Sequence, residues 1–541
     1  MFSWLESKPD HPMFNAEEAK LLLAELPKDQ PLKALEDVIA WLGSFRGTPG
    51  FRLEPRIAVA MLLDQTGRQL CAKLLKQYLS EPHLQDFRGI RLWQTIHTFT
   101  QEMAETYALC VDEYRREKSP SEEVRENITV VCVRLLRTRA EQMKLELMRY
   151  QDLAQEIWEG MYRYYRFAEE SGLADVMVTA YPGNAIHTSP RHELLHALAL
   201  SQSSPETLAP DQIEVASRIA ARMVSFFGFT DKPDDACPYF IDLEHPMAPG
   251  HAGKEPELTP GMRFFGMAKA IPRLEEIAEQ NEHGVLSEER RFGNEFTPDG
   301  KLTVLKHLQQ YWGGVYLHRL QERRNIHAEI EVVHGFKTIS KLVAHIELDQ
   351  VVGLSADEVS MLKQRSAVGL AEVEEKYTSE SWLVQDLSTS GLGGMMPQVA
   401  GSWAKIGALC GLKGRNAGQW WVGMIRRLKT DSRNKVHAGI EILTKKPLSV
   451  WLRALGRGVE NAANWETSSG SFDYDYLPVI LLPDAQNSYA NATMLMETGS
   501  YVPEAMFEVM MGEKSRNIKL AGLLAEGDDY EQVKFEWLDA E

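Results

Sequence analysis

Two polar motifs could carry chemistry, and the first is His192-Glu193-Leu194-Leu195-His196. On a helix, two histidines four residues apart share one face and can bind zinc, while the glutamate polarises a metal-bound water. Ser189 and Pro190 form a suitable helix start, and Glu214 is a candidate third ligand. The competing interpretation is a surface helix with two polar histidines. We favour it, and expect no metal, because the metalloprotease continuation H-x-x-G-x-x-H is absent.

The second motif is Asp386-x-Ser388-x-x-Gly391, which follows the strand-like run Trp382-Leu383-Val384-Gln385. An aspartate can accept hydrogen bonds from guanine N1–H and N2–H, and a serine hydroxyl can donate or accept. Glycine permits a positive φ and a close approach of the backbone to a ligand. The simpler interpretation is a polar turn that closes a strand, in which Asp and Ser bind nearby backbone groups.

An arginine-rich segment, Arg319 to His327, precedes another predicted strand. Arg319 and Arg323 have the spacing R-x-x-x-R, and Arg324 follows directly. A guanidinium can bind two phosphate oxygens or guanine O6 and N7, and it can stack on a base. Further along, Arg426-Arg427 form either a solvated strand end or part of the same ligand patch.

Together these two segments resemble the PilZ domain, the bacterial β-barrel receptor for cyclic di-GMP. The resemblance covers roughly residues 315–445, and it implies a receptor with no catalytic residues. Arg319, Arg323 and Arg324 would clamp the dinucleotide, while Asp386, Ser388 and Gly391 would read and accommodate a guanine. No other cofactor is implied. The bound receptor would act on a protein partner, which the resemblance places in motility, pilus or biofilm machinery.

Two alternatives stay open at this point. The first is a degenerate PilZ scaffold that binds a protein but no nucleotide. It is favoured by nearby Glu322 and Glu329, and by His327, which takes the second arginine position if the motif starts at Arg323. The second is a zinc hydrolase centred on His192, Glu193 and His196, which the absence of stoichiometric zinc would exclude.

The composition limits the remaining possibilities. The 541 residues include 77 acidic and 59 basic side chains, a formal net charge of -18, so we expect no DNA or RNA partner. We find no apolar run long enough for a membrane helix and no signal peptide. Five widely spaced cysteines, with no C-x-x-C pair, indicate free thiols in the cytoplasm.

Hydrophobic periodicity predicts a multidomain α + β chain. Residues 1–230 read as an all-helical domain, with apolar stripes at Trp93–Cys110 and Leu147–Tyr164. Residues 231–314 read as an irregular linker with a small α/β segment. Residues 315–445 are expected to form the PilZ-like antiparallel β-barrel with a helical insert near 354–377, and residues 446–541 a C-terminal β-rich module.

Overall fold

The structure is a computed structural model in which the chain folds as two compact units, Met1–His318 and Arg319–Glu541. They are called the helical unit and the barrel unit below. It describes residues 9–80, 87–183, 186–252, 258–285, 292–313, 324–350, 377–397, 403–415, 417–455, 477–484, 488–489, 491–511 and 514–538.

The helical unit is built from long amphipathic helices around one apolar core. Its helices up to residue 223 are α1 (Ala16–Ala24), α2 (Pro31–Gly47), α3 (Leu53–Ser80), α4 (Phe87–Arg116), α5 (Glu122–Met148), α6 (Gln155–Glu170), α7 (Pro190–Ser201) and α8 (Pro210–Met223). The predicted stripe Trp93–Cys110 lies in α4. The Ser121 hydroxyl accepts from Val124 N at the start of α5, where a serine cap satisfies an otherwise unpaired N–H.

The predicted stripe Leu147–Tyr164 is not one helix. Leu147 lies in the last turn of α5 and Tyr164 belongs to α6, and Tyr150 between them has a φ of 56°, in the left-handed region. The two helices present their apolar side chains to the same core, so the spacing of three and four continues across the break. Periodicity therefore located the buried face correctly and missed the turn.

Residues 231–314, which the sequence predicts to be an irregular linker with a small α/β segment, complete the helical unit. A short hairpin, β1 (Val178–Thr179) and β2 (His187–Thr188), precedes them. The strands β3 (Gly228–Thr230), β4 (Tyr239–Asp242), β5 (Gly250–His251) and β6 (Met262–Gly266) form a sheet of order β3-β6-β4-β5, followed by α9 (Ile271–Glu282) and α10 (Pro298–Trp312). Ile241, Phe265, Leu274 and Trp312 lie in the same core as the helices.

The first barrel is closed and antiparallel, with strand order β10-β11-β12-β9-β8-β7. Its strands are β7 (Arg324–His334), β8 (Glu380–Leu387), β9 (Gly391–Met395), β10 (Leu409–Gly414), β11 (Trp421–Thr430) and β12 (Val436–Thr444). The hairpin of β11 and β12 was predicted from the polar run between them. The helical insert predicted near 354–377 falls almost entirely outside the described residues.

A second closed antiparallel barrel follows, with strand order β13-β14-β15-β18-β17-β16. Its strands are β13 (Leu448–Ala454), β14 (Leu477–Leu482), β15 (Thr493–Glu497), β16 (Met506–Met511), β17 (Lys514–Glu526) and β18 (Tyr530–Trp537). The expected fold class, a helical region followed by a PilZ-like barrel and a C-terminal β-rich module, is confirmed.

The two barrels share a second apolar core. Helix α11 (Phe336–Gln350), which sequence inspection missed, follows β7 and contributes Phe336 and Ile339 to it. The second barrel contributes Ile480 and Leu495 from its outer face. Asp529 accepts a hydrogen bond from Phe336 N at 2.6 Å. The barrels are therefore joined by packing as well as by the chain.

Candidate functional site

The Asp-x-Ser-x-x-Gly motif forms the tight turn between β8 and β9. The Ser388 N–H donates to the Gly391 carbonyl at 2.8 Å. The Ser388 hydroxyl accepts a hydrogen bond from the Gly391 N–H and donates one to the Gly391 carbonyl, each with a length of 3.1 Å. Because these bonds occupy the hydroxyl, Ser388 stabilises the turn between β8 and β9. They match the simpler interpretation of the motif, in which Ser binds nearby backbone.

Gly391 does not use the positive φ that a glycine permits. Its backbone lies outside the left-handed region. The reason for a glycine is proximity, because a Cβ at this position would lie 2.9 Å from the Ile440 carbonyl of β12. Gly391 thus lets β9 lie close against its neighbouring strand at the base of the turn.

A row of paired residues crosses the outer face of the first barrel. Asp386 on β8 pairs with Gly393 on β9, Gly393 pairs with Gly439 on β12, and Gly439 pairs with Arg427 on β11. We call these four residues the glycine shelf. The Asp386 carboxylate lies over Gly393, where a Cβ would be 2.8 Å from its nearer oxygen, and the Arg427 stem lies beside Gly439.

The arginine segment meets the shelf at its β8 edge. Arg324 pairs with Leu387 and Asn325 pairs with Asp386, so the first residues of β7 flank the motif. The Arg324 side chain is exposed. Arg319 and Arg323, the other arginines of the predicted clamp, lie outside the described residues. The structure therefore brings Arg324, Asp386, Ser388 and Gly391 together at one corner.

The glycine shelf can receive a flat, anionic ligand. Gly393 and Gly439 have no side chains of their own, so the Asp386 carboxylate and the Arg427 stem lie close against the backbone there, where a planar base can contact both groups. A carboxylate at one end accepts from base N–H groups, and a guanidinium at the other binds phosphate or base edges. Residues 403–455 hold eleven Lys or Arg against two Asp or Glu, so this part of an acidic chain is basic.

Sequence inspection missed Gly393, Gly439 and the register that joins them to Arg427. It did not assign Gly391–Gly394 to a strand, and it left the role of Arg427 open. A signal was present, since a glycine inside a strand often marks the close approach of a ligand or another backbone.

The His192–His196 motif does not form a hydrolytic zinc site. It lies on α7 as predicted, with the Ser189 hydroxyl accepting from His192 N. However, Glu193 is buried and accepts two hydrogen bonds from Arg137, at 2.6 and 3.0 Å, and one from Thr188. Burial raises the pKa of Glu193, but the Arg137 guanidinium outweighs it and holds that pKa below its usual range. This carboxylate is an ion-pair partner, and the motif belongs to a buried helix.

The proposed third zinc ligand is occupied as well. Glu214 lies 2.7 Å from the Lys144 ammonium and accepts from Arg218 at 2.8 Å. Among the described residues, no cluster of three His, Cys, Asp or Glu side chains has metal-binding geometry.

A cavity of about 470 Å³ lies among α3, α4, α5 and α8 of the helical unit. Arg68, Lys144 and Arg218 line it, but so do Glu141 and Glu214. Arg68 donates to Glu141 at 2.7 Å, and the other two cations bind Glu214. The charged groups neutralise one another, so nothing in the lining selects an occupant.

The comparisons with known proteins decide the class of the molecule. A model described as the N-terminal domain of the cyclic-di-GMP receptor FimW matches residues 17–234, and a model of the FimW C-terminal β-barrel domain matches residues 466–538. Together they cover more than half of the chain. The chain belongs to the FimW family. The receptor class expected from the sequence is thereby confirmed, and neither FimW model describes an enzyme.

Within the FimW match, the helical unit and the second barrel carry the matched residues, while the glycine shelf lies between the two matched ranges. No curated protein matches the chain. Among the described residues, no helix is long and apolar enough to cross a membrane.

Proposed function

We propose that this chain binds cyclic di-GMP on the outer face of the first barrel, at the glycine shelf. The observation that carries the proposal is the strand register, which sets Arg324 and Asn325 beside Asp386 and aligns Asp386 with Arg427 across two glycines. A guanine would lie against the Asp386 and Arg427 side chains that cover Gly393 and Gly439, with its N–H edge toward Asp386. Arg324 and Arg427, together with Arg319 and Arg323, would bind the phosphates.

The charge distribution supports the same assignment. The ligand carries two negative charges, and residues 403–455, which include the shelf residues Arg427 and Gly439, hold more basic than acidic side chains. The remaining acidic groups of the chain are weakened by screening beyond a Debye length of about 8–10 Å. Ser388 and Gly391 would contribute by holding the turn that presents Asp386.

The receptor would act in the cytoplasm on a protein partner. The five buried, free cysteines are those of a protein in a reducing compartment. Resemblance to PilZ receptors points to motility, pilus or biofilm machinery as the source of the partner.

Calorimetric titration of the full chain with cyclic di-GMP tests the proposal. We expect saturable binding that Asp386→Ala and Arg427→Ala each weaken about ten- to a hundredfold, because each removes a charge-assisted hydrogen-bonding group worth about 1.5–3 kcal/mol. Arg415→Ala is the matched control, since this exposed arginine of the same barrel pairs with Glu329 away from the shelf.

Two results would contradict the proposal. The first is no heat at high ligand concentration while circular dichroism shows a folded chain. The second is an equal loss of affinity in Arg415→Ala and in the two shelf variants. Binding of a protein partner that survives both shelf variants, without nucleotide binding, would instead support the degenerate scaffold.

A further inference from the structure

We infer that Arg426 is a second phosphate-binding residue beside the glycine shelf, and that Glu441 holds its guanidinium until a ligand phosphate replaces the carboxylate. The inference rests on the proposed function and deepens it. Strand β11 carries two consecutive arginines, Arg426 and Arg427, and the glycine shelf includes only the second. Arg426 belongs to neither core of the barrel unit, because its side chain is exposed.

A β-bulge places both arginines on the outer face of the first barrel. Ile425 of β11 pairs with Ile440 of β12. The next pair joins Arg427 to Gly439, so Arg426 is an extra residue between two consecutive pairs. In a regular strand, neighbouring side chains point to opposite faces. Here Arg426 and Arg427 are both exposed, whereas Ile425 is buried. Two arginine side chains on one face suit a ligand with two phosphates.

Glu441 lies on the same face, in the row of residues next to the shelf. It follows Gly439 by two positions on β12, and Ile440 between them is buried. On β9 it pairs with Gly391, the last residue of the Asp-x-Ser-x-x-Gly motif. Arg426 Nε donates to Glu441 Oε2 at 2.7 Å. This ion pair therefore lies beside both the motif turn and the shelf.

A ligand phosphate can replace the carboxylate in this ion pair. The side chains are 52% exposed for Arg426 and 47% exposed for Glu441, so water and salt screen their attraction. A phosphodiester accepts two parallel hydrogen bonds from a guanidinium, and such charge-assisted bonds are stronger than neutral ones. The contact with Glu441 uses Nε, and the remaining N–H donors lie on the two Nη atoms. A dianionic ligand on the shelf should therefore draw Arg426 away from Glu441.

The carboxylate of Glu441 has two opposing effects on binding. Without ligand, it orients Arg426 beside the shelf, which lowers the cost of ordering that side chain on binding. With ligand bound, the carboxylate has lost its partner and lies near a dianion, which it repels. Because the second effect grows with the charge of the ligand, Glu441 sets the affinity below the value that the arginines alone would give.

Titration calorimetry of the full chain with cyclic di-GMP tests this arrangement. Arg426→Ala should weaken binding about tenfold or more, since it removes a charge-assisted contact with a phosphate. Glu441→Gln should tighten binding about two- to fivefold, because Arg426 no longer has to leave an ion pair. The double variant removes one charge of each sign, so the net charge of the chain is unchanged. It should still bind at least about fivefold more weakly than wild type.

The ion pair between Arg415 and Glu329, at 3.1 Å in the same barrel, is the matched control. Glu329 pairs with Leu383 of β8, which is not a shelf residue. Arg415→Ala, Glu329→Gln and their double variant make the same changes of charge, and each should bind within about twofold of wild type. All four substituted residues are exposed, and circular dichroism of each variant confirms that the barrels are folded.

The double variant of Arg426 and Glu441 distinguishes a ligand contact from a simple balance of charge. Wild-type affinity in that variant means that the two residues only compensate each other, and it overturns the inference while ligand binding at the shelf stands. Unchanged affinity in Arg426→Ala, weaker binding in Glu441→Gln, or equal effects in the control pair also overturn it. Absence of binding by wild type rejects the proposed function and this inference with it.

Discussion

Asp64 of the helical unit and Asp386 of the barrel unit show two ways in which this chain uses charge. Asp64 is completely buried and accepts hydrogen bonds from the hydroxyls of Tyr107 and Tyr181, both at 2.8 Å. Arg134 and Arg68 lie 3.6 and 3.7 Å from its oxygens. Asp386 lies on an outer face, in register with Arg427 across two glycines.

The difference between the buried Asp64 and the outer-face Asp386 indicates where a ligand can bind. In the helical unit, carboxylates and guanidinium groups neutralise one another inside the fold, and these buried pairs hold the helices together. In the barrel unit, Asp386 and Arg427 lie on an outer face, against Gly393 and Gly439. The match to the FimW N-terminal domain includes the buried Asp64 network of the helical unit, whereas the candidate ligand site is the glycine shelf of the first barrel.

The largest effect should come from breaking the internal network. Asp64→Ala leaves Arg134, which is 3% exposed, without its carboxylate, and we expect a loss of about 3–5 kcal/mol in unfolding free energy. Scanning calorimetry should show the transition of the helical unit shifted downward. Asp37→Ala is the control, since its pair with the exposed Lys33 is solvent-screened and should contribute little to stability. Equal shifts in the two variants would refute the internal role of Asp64.

A smaller effect, confined to ligand binding, should follow Gly393→Ala. The new methyl group would lie within 3 Å of both Asp386 carboxylate oxygens and displace them from the shelf. We expect binding of cyclic di-GMP to weaken about tenfold or more, equal to about 1.4 kcal/mol, with little change in thermal stability. Gly418→Ala is the matched control, because nothing lies within 4 Å of the added Cβ. Unchanged affinity in Gly393→Ala would remove the shelf from the site.

The smallest effect should appear on mild acidification of the helical unit. Burial lowers the pKa of His196, whose Nε2 lies 3.0 Å from the Ser217 hydroxyl. Below about pH 6.5 the unfolded chain therefore binds a proton that the native state does not, so stability falls as pH decreases.

The slope is at most about 1.4 kcal/mol per pH unit for each such proton. Calorimetry between about pH 7.5 and 5.5 should show a shallower slope in His196→Gln than in wild type. A steeper slope in His196→Gln would contradict the assignment.

Local signals in the sequence predicted the elements better than their boundaries. Ser121 and Ser189 cap helices where expected, and the hairpin of β11 and β12 closes at its polar run. Helix α11 was missed although Phe336, Ile339 and Val343 have helical spacing, since the predicted strand ends at His334 and nothing was assigned to the residues that follow it. The break at Tyr150 was hidden because its flanking helices share one core.

The site was only partly predictable, for a physical reason. Asp386, Ser388 and Gly391 form a local turn, which a short motif can encode. The alignment of Asp386 with Arg427 depends on the pairing of four strands, and that register is set by the closure of the barrel. The spacing of residues along the chain does not predict this register. The role of Gly439 likewise follows from its partners on other strands.

The shared core of the two barrels limits how the protein can be divided for laboratory work. A fragment that ends after Thr444 would expose Leu409, Val422 and Met424, which are buried together with Ile480 and Tyr530 of the second barrel. Such a fragment should aggregate during purification through these exposed apolar side chains. Its failure to bind nucleotide would therefore not test the proposed site. The shortest piece worth expressing for ligand studies therefore extends through the last strand, to Trp537.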